Sequence, residues 1–344
     1  MSKKILITGG AGFIGTNCVL HFLNNGWQVT VLDNLSRRGV DLNLHRLNEM
    51  HPNKFAFVKA DVRHDQDILD REAALHDVIL HLAGQVAVTT SVADPRTDFE
   101  VNALGTFNVL EAVRRVPAPP IIIYSSTNKV YGDLEELEIE EGETRYHLKH
   151  LPNGVTERQQ LDFHSPYGCS KGAADKYVRD YSRIYNLPTV VFRQSCIYGP
   201  NQFGIEDQGW LAWFTIAALL ERPVTLYGNG KQVRDVLHVG DLARLYERAI
   251  DNIEDARGNA FNVGGGKSNS VSLLEFFEEL EKSHGLKLKK GFGEERPGDQ
   301  KVFISDNTKV KEKLGWSPET SFEEGLSSLA GWAKEHMPEI RTFY

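Results

Sequence analysis

The sequence has few cysteines and lacks long apolar stretches. Three of its 344 residues are cysteine, Cys18, Cys169 and Cys196. Their odd number and irregular spacing predict neither a disulfide framework nor a cysteine-based metal site. So little cysteine fits a reducing compartment, and we expect a cytoplasmic protein. No run approaches the ~20 apolar residues of a membrane span, and the start lacks the apolar region of a signal peptide.

An excess of positive charge is also missing. The chain has 39 Lys and Arg against 47 Asp and Glu, a formal net charge of −8. This balance favours neither nucleic-acid binding nor attraction to an anionic membrane, so we expect neither partner. Hydrophobic content of 41% and charged content of 25% are ordinary for a globular protein.

Short apolar runs alternate with helical patterns through the first half of the chain. The predicted strands are Lys4–Thr8, Gln28–Asp33, Phe55–Lys59, Val78–His81, Ile121–Ser125 and Thr189–Phe192. The predicted helices include Ile14–Asn25, Asp94–Val116 and Tyr167–Tyr185. This alternation predicts an α/β fold, a Rossmann-type doubly wound parallel sheet with helices on both faces.

The alternation weakens after Phe192, where glycines, prolines and aromatics become frequent. We expect residues 1–193 to form the dinucleotide-binding domain and residues 234–262 to return to it. Residues 194–233 and 263–344 would form a smaller C-terminal α/β lobe that binds substrate. Two late helices, Ser272–Ser283 and Ser321–Lys334, fall in that lobe.

A glycine motif follows the first predicted strand. Gly9, Gly12 and Gly15 stand at a strand-to-helix turn, where missing Cβ atoms let a pyrophosphate approach the backbone and the helix start. Asp33 ends the next strand, 18 residues after Gly15. A carboxylate there accepts hydrogen bonds from ribose hydroxyls and repels a 2′-phosphate, which favours NAD. Arg37 and Arg38 could hold a 2′-phosphate, so NADP stays open.

Three further segments follow strands or face the predicted sheet. Asp61 and Val62 come after the third strand, where they could meet an adenine. His81–Gly84 ends the fourth strand and would run beneath the cofactor, and Asn102 lies on a helix expected to face the sheet. Because ligands of such folds bind at the carboxyl ends of the strands, these positions are candidates for the cofactor site.

A Tyr-x-x-x-Lys pattern supplies the candidate acid–base chemistry. Tyr167 and Lys171 lie one helical turn apart, so both side chains share a face. We expect the ammonium to lower the pKa of the phenol, which could then take a proton from a substrate hydroxyl. Thr127, just past the fifth strand, could orient the reacting oxygen. The similar pattern Tyr227–Lys231 contains two glycines that argue against a helix.

These motifs, in this order, resemble the extended short-chain dehydrogenases/reductases that act on nucleotide-sugars. The resemblance runs through nearly the whole chain, from Thr8–Gly15 to Arg296-Pro297-Gly298-Asp299. It implies Thr127, Tyr167 and Lys171 as the catalytic residues. The NAD-binding positions predicted from the motifs and the resemblance are Gly9, Gly12, Phe13, Ile14, Asp33, Asn34, Ser36, Arg37, Asp61, Val62, Leu82, Ala83, Gly84, Asn102, Ser125, Tyr167, Lys171 and Arg193.

More narrowly, segments such as Ser126–Asp133, Phe163–Gly172 and Asp207–Trp210 look like the 2-epimerases of CDP-paratose and CDP-tyvelose. That likeness implies a tightly held NAD, regenerated in each cycle, and inversion at C2 of a CDP-linked hexose through a 2-keto intermediate. The substrate-binding positions it implies are Gln85, Ala87, Thr127, Asn128, Gln194, Trp210, Thr225, Tyr227, Arg234, Arg296 and Asp299. Arg234 and Arg296 would hold the diphosphate.

Other functions stay open. A UDP-hexose 4-epimerase would use the same chemistry at another carbon. A 4,6-dehydratase is disfavoured, because its Asp-Glu pair after the threonine is replaced by Asn128 and Lys129. A dinucleotide-sensing protein without activity is a remote alternative, since both Tyr167 and Lys171 are kept. The resemblance also implies a homodimer or homotetramer, packed through a four-helix bundle of Asp94–Val116 and Tyr167–Tyr185, and a role in lipopolysaccharide sugar supply.

Overall fold

The computed structural model describes residues 3–294 and 300–344. Its strands are β1 (Lys4–Thr8), β2 (Gln28–Asp33), β3 (Phe55–Lys59), β4 (Val78–His81), β5 (Ile121–Thr127), β6 (Ile139–Glu141), β7 (Tyr146–Leu148), β8 (Thr189–Gln194), β9 (Cys196–Tyr198), β10 (Val224–Tyr227), β11 (Val233–His238), β12 (Ala260–Val263), β13 (Ser270–Ser272), β14 (Lys290–Gly293) and β15 (Val302–Phe303). The six strands predicted from apolar runs are all present.

Helices separate most of these strands. They are α1 (Phe13–Asn24), α2 (Val40–Met50), α3 (Gln66–Leu75), α4 (Val88–Ala93), α5 (Pro95–Phe99), α6 (Gly105–Arg114), α7 (Ser165–Tyr185), α8 (Trp210–Leu219), α9 (Val239–Asp251), α10 (Ile253–Ala256), α11 (Leu273–His284), α12 (Thr308–Leu314), α13 (Phe322–Glu335) and α14 (Met337–Phe343). A π-helical turn covers Glu100–Leu104, and a 3₁₀ turn covers Asn128–Tyr131.

Seven parallel strands form the central sheet in the order β12-β8-β5-β4-β1-β2-β3. The predicted doubly wound Rossmann fold is confirmed. The strand order reverses between β1 and β4, and ligands of open α/β sheets bind outside the carboxyl ends of the strands at such a point. The glycine motif after β1 and the His81–Gly84 segment after β4 therefore meet at the same crevice.

Both faces of the central sheet are covered by helices. On one face α1 packs with α9, and buried Cys18, Phe22, Leu245 and Tyr246 belong to the same cluster. On the other face lie α3, α6 and α7, whose Leu69, Val109 and Val178 share a second cluster with strand residues. Since both faces are buried, the inner strands need nearly continuous apolar sequence, which is why short apolar runs predicted them correctly.

The predicted helix Asp94–Val116 is interrupted. In the structure this segment consists of α5, the π-helical turn and α6, which follow one another directly along the chain. Asp94 caps the first of these helices by accepting a hydrogen bond from the Thr97 N–H at 3.1 Å. Insertion of a π-helical turn changes the direction of side chains along a helix, and such turns often lie at functional sites.

The rest of the chain builds smaller sheets beside the central one. In the first of these sheets, β11 pairs with β13, β15 and β9. A second sheet consists of β10 and β14, and a third consists of β6 and β7. A separate apolar cluster joins α8, α11 and α13. The division into domains drawn from the sequence stays a prediction. Within residues 3–294 and 300–344, no helix has the length and apolarity needed to span a membrane.

Candidate active site

The turn between β1 and α1 has room for backbone and nothing more. Gly9 has φ +68°, and a Cβ there would lie 2.8 Å from the Ala83 backbone nitrogen. A Cβ on Gly15 would lie 2.4 Å from the Gly9 carbonyl oxygen. In the described part of the chain, no side chain caps the start of α1 at Gly12. The amides of Phe13 and Ile14 therefore begin the helix at a point suited to an anionic group.

Asp33 lies against this glycine turn at the end of β2. Its carboxylate accepts hydrogen bonds from the backbone N–H of Ala11 at 3.1 Å and of Leu35 at 2.9 Å. Burial raises its pKa, and the two backbone hydrogen bonds oppose that change. The structure thus brings a carboxylate to the place where a ribose would lie if a dinucleotide occupied the turn.

The neighbouring strand ends carry a second polar group. Asn34 donates to an Asp61 oxygen at 2.8 Å and accepts from the Ser36 backbone N–H. Asp61 also binds Arg63 through two side-chain hydrogen bonds, which lower the pKa of its carboxyl group. Ser36 and Arg37 are exposed, whereas Val62 is buried. These predicted positions gather on the β2–β3 side of the crevice.

The segment after β4 lies between the glycine turn and α7. Leu82 and Ala83 face Gly9 across the crevice, and a Cβ on Gly84 would lie 3.9 Å from the Lys171 ammonium nitrogen. Asn102 lies below Gly84 and accepts a hydrogen bond from the Gln85 backbone N–H at 3.0 Å. This segment therefore brings the predicted cofactor positions close to the predicted catalytic ones.

Thr127 and Tyr167 come together at the carboxyl end of β5. Thr127 ends this strand, and its hydroxyl lies close enough to the Tyr167 phenol to lower the pKa of that phenol. Tyr167 is in the first turn of α7, where its backbone N–H donates to Ser91 Oγ at 3.1 Å. Lys171 follows one turn later and donates to the Ser125 carbonyl at 2.5 Å. The predicted catalytic residues thus form one buried group.

Burial sets the protonation of this group. The pKa of Tyr167 is raised to about 12, mainly by burial, while the hydrogen bond from Thr127 lowers it. The pKa of Lys171 is lowered to about 7, again by burial, while Asp98 and Asp175 raise it. The pKa of the phenol is therefore raised in the protein and not lowered as expected, because burial disfavours the phenolate.

The side chain of Arg193, a predicted cofactor position, is buried and has partners within the protein. Its guanidinium is 2% exposed and donates to both Asp175 oxygens at 2.8 and 3.0 Å and to the Tyr131 hydroxyl at 3.0 Å. Each of its three nitrogens therefore donates to a partner within the protein. The pairing with Asp175 of α7 arises because that helix packs against β8, and the predicted role of Arg193 at the cofactor stays a prediction.

Several predicted sugar-side residues also have partners within the protein. The Gln85 side chain bonds both backbone groups of Ala87, at 2.6 and 2.7 Å. Asn128 is buried and donates to Gln300 Oε1 at 3.1 Å, and Gln194 donates to the Tyr246 hydroxyl. Asn128 follows Thr127 in the chain and Gln194 pairs with Thr127 between β5 and β8, so both lie beside it, and their predicted contacts with the sugar stay predictions.

The predicted nucleotide-side residues that the structure describes lie around the smaller sheets. Trp210 donates to Cys196 Sγ at 3.5 Å, and the charge of Arg234 lowers the pKa of the same thiol, so both residues border β9. Thr225 is exposed and Tyr227 half-buried, both on β10. Arg296 and Asp299 lie outside the described residues, so their predicted roles stay predictions.

The sequence motifs missed one polar residue that touches this site from below. Asp98 is 1% exposed and accepts hydrogen bonds from Ser170 at 2.5 Å and Asn102 at 3.1 Å. Its spacing of four residues from Asn102 was a signal that both would share a helix face. The partner on α7 could not be read from that spacing.

The known proteins that this chain resembles include epimerases and dehydratases of nucleotide-sugars. A sequence model described as GDP-mannose 4,6 dehydratase matches residues 6–329. The chain is 49% identical over 335 residues to CDP-paratose 2-epimerase of Salmonella typhi, covering 96% of this chain and 98% of that protein. It is 33% identical over 352 residues to dTDP-glucose 4,6-dehydratase of Neisseria gonorrhoeae, covering 96% and 95%.

A solved structure is similar over the same length. The complex of Thermus thermophilus UDP-glucose 4-epimerase with NAD matches with a TM-score of 0.79 and 30% identity, covering 96% of this chain and 99% of that one. The likeness therefore extends over the central sheet and the smaller sheets together.

The buried Arg193–Asp175 pair generates a stability prediction. We expect Arg193→Met to lower the free energy of unfolding by about 3–5 kcal/mol, because it leaves the Asp175 carboxylate buried without its counterion. Urea unfolding followed by circular dichroism measures the loss. The control is Arg183→Met, which removes an exposed pair with Asp180 on α7 and should cost at most about 1 kcal/mol. Equal losses in the two variants would contradict the assignment.

Proposed function

The chain belongs to the GDP-mannose 4,6-dehydratase family of extended short-chain dehydrogenases/reductases, and we propose that it is an NAD-dependent epimerase that inverts C2 of a CDP-linked hexose. One observation carries the proposal. Thr127, Tyr167 and Lys171 meet beside a glycine-lined crevice in a chain 49% identical to a CDP-paratose 2-epimerase.

The crevice suits NAD on its own geometry. Gly9 and Gly15 leave space that a Cβ would fill, the start of α1 carries no side-chain cap in the described structure, and Asp33 lies where it can accept ribose hydroxyls. NAD, when bound, supplies reversible hydride transfer with the sugar carbon. The resemblance to an epimerase solved with NAD supports this choice, and the Asp33 carboxylate disfavours a 2′-phosphate.

Transient oxidation explains how C2 could be inverted. In a nucleotide-linked pyranose C2 has no neighbouring carbonyl to acidify its hydrogen, so direct removal of a proton from carbon is very unfavourable. Oxidation of the hydroxyl to a 2-ketone removes the stereocentre. Reduction of the opposite face then gives the epimer. The protein must therefore hold the diphosphate firmly while the sugar stays free to present either face of C2. We assign the binding of the diphosphate to Arg234 and, outside the described residues, to Arg296.

Tyr167 is the proposed proton carrier. Its hydroxyl can take the proton of the sugar hydroxyl during oxidation and return it during reduction. Burial raises the pKa of the Tyr167 phenol to about 12 in the protein without ligand. A positive charge must therefore be close when this phenol acts as a base. Protonated Lys171 and an oxidised nicotinamide ring would supply that charge. The Thr127 hydroxyl lies beside the Tyr167 phenol and can orient the reacting oxygen of the sugar.

The alternatives differ in the carbon attacked or in the chemistry. A 4-epimerase would need only a different seating of the sugar, and the similar structure from Thermus thermophilus is a UDP-glucose 4-epimerase. A 4,6-dehydratase needs an acid and a base after the threonine. Asn128 is an amide whose nitrogen donates to Gln300, so it can serve as neither, and dehydration stays the weaker alternative.

The function is tested by giving purified protein CDP-paratose, CDP-glucose or UDP-galactose in deuterated water and following the sugars by NMR. We expect inversion at C2 of a CDP-sugar without deuterium at carbon, because the same hydride returns. Inversion at C4 of the UDP-sugar would favour the 4-epimerase. A 4-keto-6-deoxy product would favour the dehydratase, and no turnover of any sugar would favour a sensing protein.

Removing the phenol hydroxyl tests the proposed proton carrier. We expect Tyr167→Phe to retain NAD and fold while turnover falls roughly 10²–10⁴-fold, the usual share of general acid–base catalysis. Tyr177→Phe is the matched control: this residue lies on the same helix, half-exposed in the single chain, and the substitution keeps its ring, so turnover should stay normal. Near-normal turnover in Tyr167→Phe would remove this residue from the mechanism.

The proposal includes self-association through α7 and the stretch formed by α5, the π-helical turn and α6. These elements expose apolar side chains, and Phe107 of α6 contacts Tyr177 of α7 edge-to-face at 5.8 Å. The exposed set is Phe99, Leu104, Phe107, Tyr177, Ile184 and Tyr185. A second copy applying the same face would bury this patch in a four-helix bundle. Dimer and tetramer are both compatible with it.

A charge placed on that face should separate the copies. Ile184 is 64% exposed, and we expect Ile184→Glu to reduce the mass measured by light scattering to that of one chain. Met50→Glu, at 57% exposure on α2, is the control and should leave the mass unchanged. An oligomer that survives Ile184→Glu, or a single-chain mass in the unmodified protein, would contradict the bundle.

We further propose that the reaction takes place in the cytoplasm and supplies sugars for lipopolysaccharide. The support is the sparse, unpaired cysteine content, with Cys18, Cys169 and Cys196 all free thiols, and the likeness to an enzyme of CDP-paratose.

A further inference from the structure

A buried carboxylate lies directly beneath the proposed catalytic turn of α7. Asp98, the fourth residue of α5, is 1% exposed. One of its oxygens accepts the Ser170 hydroxyl at 2.5 Å, and the other accepts the Asn102 amide at 3.1 Å. Both partners are neutral donors. The carboxylate is therefore held in place without being neutralised by them.

These hydrogen bonds join three parts of the site. Ser170 is the residue before Lys171 and shares the helix face of Tyr167. Asn102, in the π-helical turn, donates to Ser170 Oγ at 3.1 Å as well as to Asp98. Its amide oxygen accepts the Gln85 N–H at 3.0 Å, which ties the network to the segment after β4. Asp98 thus connects α5, α7 and the cofactor side of the crevice.

The groups around Lys171 leave one negative charge uncompensated. On α7 itself, Asp175 is paired with Arg193 at 2.8 Å, and the Tyr167 phenol is protonated at neutral pH because its pKa is about 12. On β4, His81 is neutral because burial lowers its pKa to about 3.

On β5, the Tyr124 ring lies 4.4 Å from the Lys171 nitrogen, and its phenol stays protonated because burial raises its pKa well above the ordinary value. Among the described residues, that leaves Asp98, on α5, as a carboxylate without a counterion of its own whose charge acts on the ammonium.

We propose that Asp98 is a positioning residue of this site: it supplies the counterion that keeps Lys171 charged and, through Ser170, fixes the helical turn that carries Tyr167. The inference rests on the proposed function, because it assigns Tyr167 and Lys171 to the reaction. Asp98 touches neither sugar nor cofactor and acts through these neighbours.

The sign of the charge effect follows from its position. The Asp98 carboxylate raises the pKa of Lys171, since it stabilises the ammonium, and it raises the pKa of Tyr167, since it opposes the phenolate. A neutral side chain at this position should lower both pKa values. A purely structural defect would reduce activity without moving either of them.

The test is Asp98→Asn, which keeps the shape of the side chain and removes its charge. In the NAD-bound protein labelled with ¹³C at lysine Cε, the Lys171 signal is identified by its absence from Lys171→Met. We expect this signal to titrate at lower pH in Asp98→Asn than in the unmodified protein. The limbs of the kcat–pH profile set by Tyr167 and Lys171 should move to lower pH together.

Glu100→Gln is the matched control. Glu100 follows two residues after Asp98 and pairs with the exposed Arg96 at 3.2 Å, so its loss should leave both titrations in place. Superimposable Lys171 titrations in Asp98→Asn and the unmodified protein would overturn the proposal. If Asp98→Asn does not fold, Asp98→Ser removes the same charge with a smaller side chain and should give the same shift.

The two readouts keep this inference separate from the proposed function. The NMR titration needs no substrate, so it tests Asp98 even if CDP-paratose is not converted. Failure of turnover with a shifted Lys171 signal would count against the epimerase and for the counterion. Normal C2 inversion with an unshifted signal would count the other way.

Discussion

The packing of α7 against β5 is the constraint on which the site depends. Lys171 donates to the Ser125 carbonyl and Tyr167 meets Thr127, so both contacts exist only while the helix keeps its register on the strand. Deeper in the same interface, Arg193 of β8 holds Asp175 of α7 through two hydrogen bonds. The interior pair therefore fixes the helix whose first turns face the crevice.

Desolvation governs the electrostatics of this interface. It raises the pKa of Tyr167 and lowers the pKa of Lys171, and both changes favour the uncharged forms. Nearby charges then have a large influence, because water does not screen them well. A site of this kind responds strongly to a bound cation and to a buried carboxylate such as Asp98.

The fold was largely predictable because the inner strands of a parallel sheet must be apolar on both faces. The apolar runs at β1, β2 and β4 meet that requirement and are visible in the sequence. The glycines after β1 predict a turn that has no room for side chains. The interruption of the helix at Glu100–Leu104 could not be predicted, since nothing in local propensity demands a π-helical turn. Asn102, within this turn, makes hydrogen bonds to Ser170 of α7 and to Gln85 after β4, contacts that local sequence does not reveal.

The sequence by itself determined six of the seven strands of the central sheet, the glycine turn, the position of the Asp33 carboxylate and the placement of Tyr167 and Lys171 on one helical face. Each follows from local spacing, which covalent geometry enforces along the chain. The tertiary structure alone decided the partners and the charges. It pairs Arg193 with Asp175 and brings the charge of Asp98 to act on Lys171. It also buries Tyr167, so that the pKa of this phenol is raised and not lowered. Contacts between distant segments and exclusion of water arise only when the chain has packed.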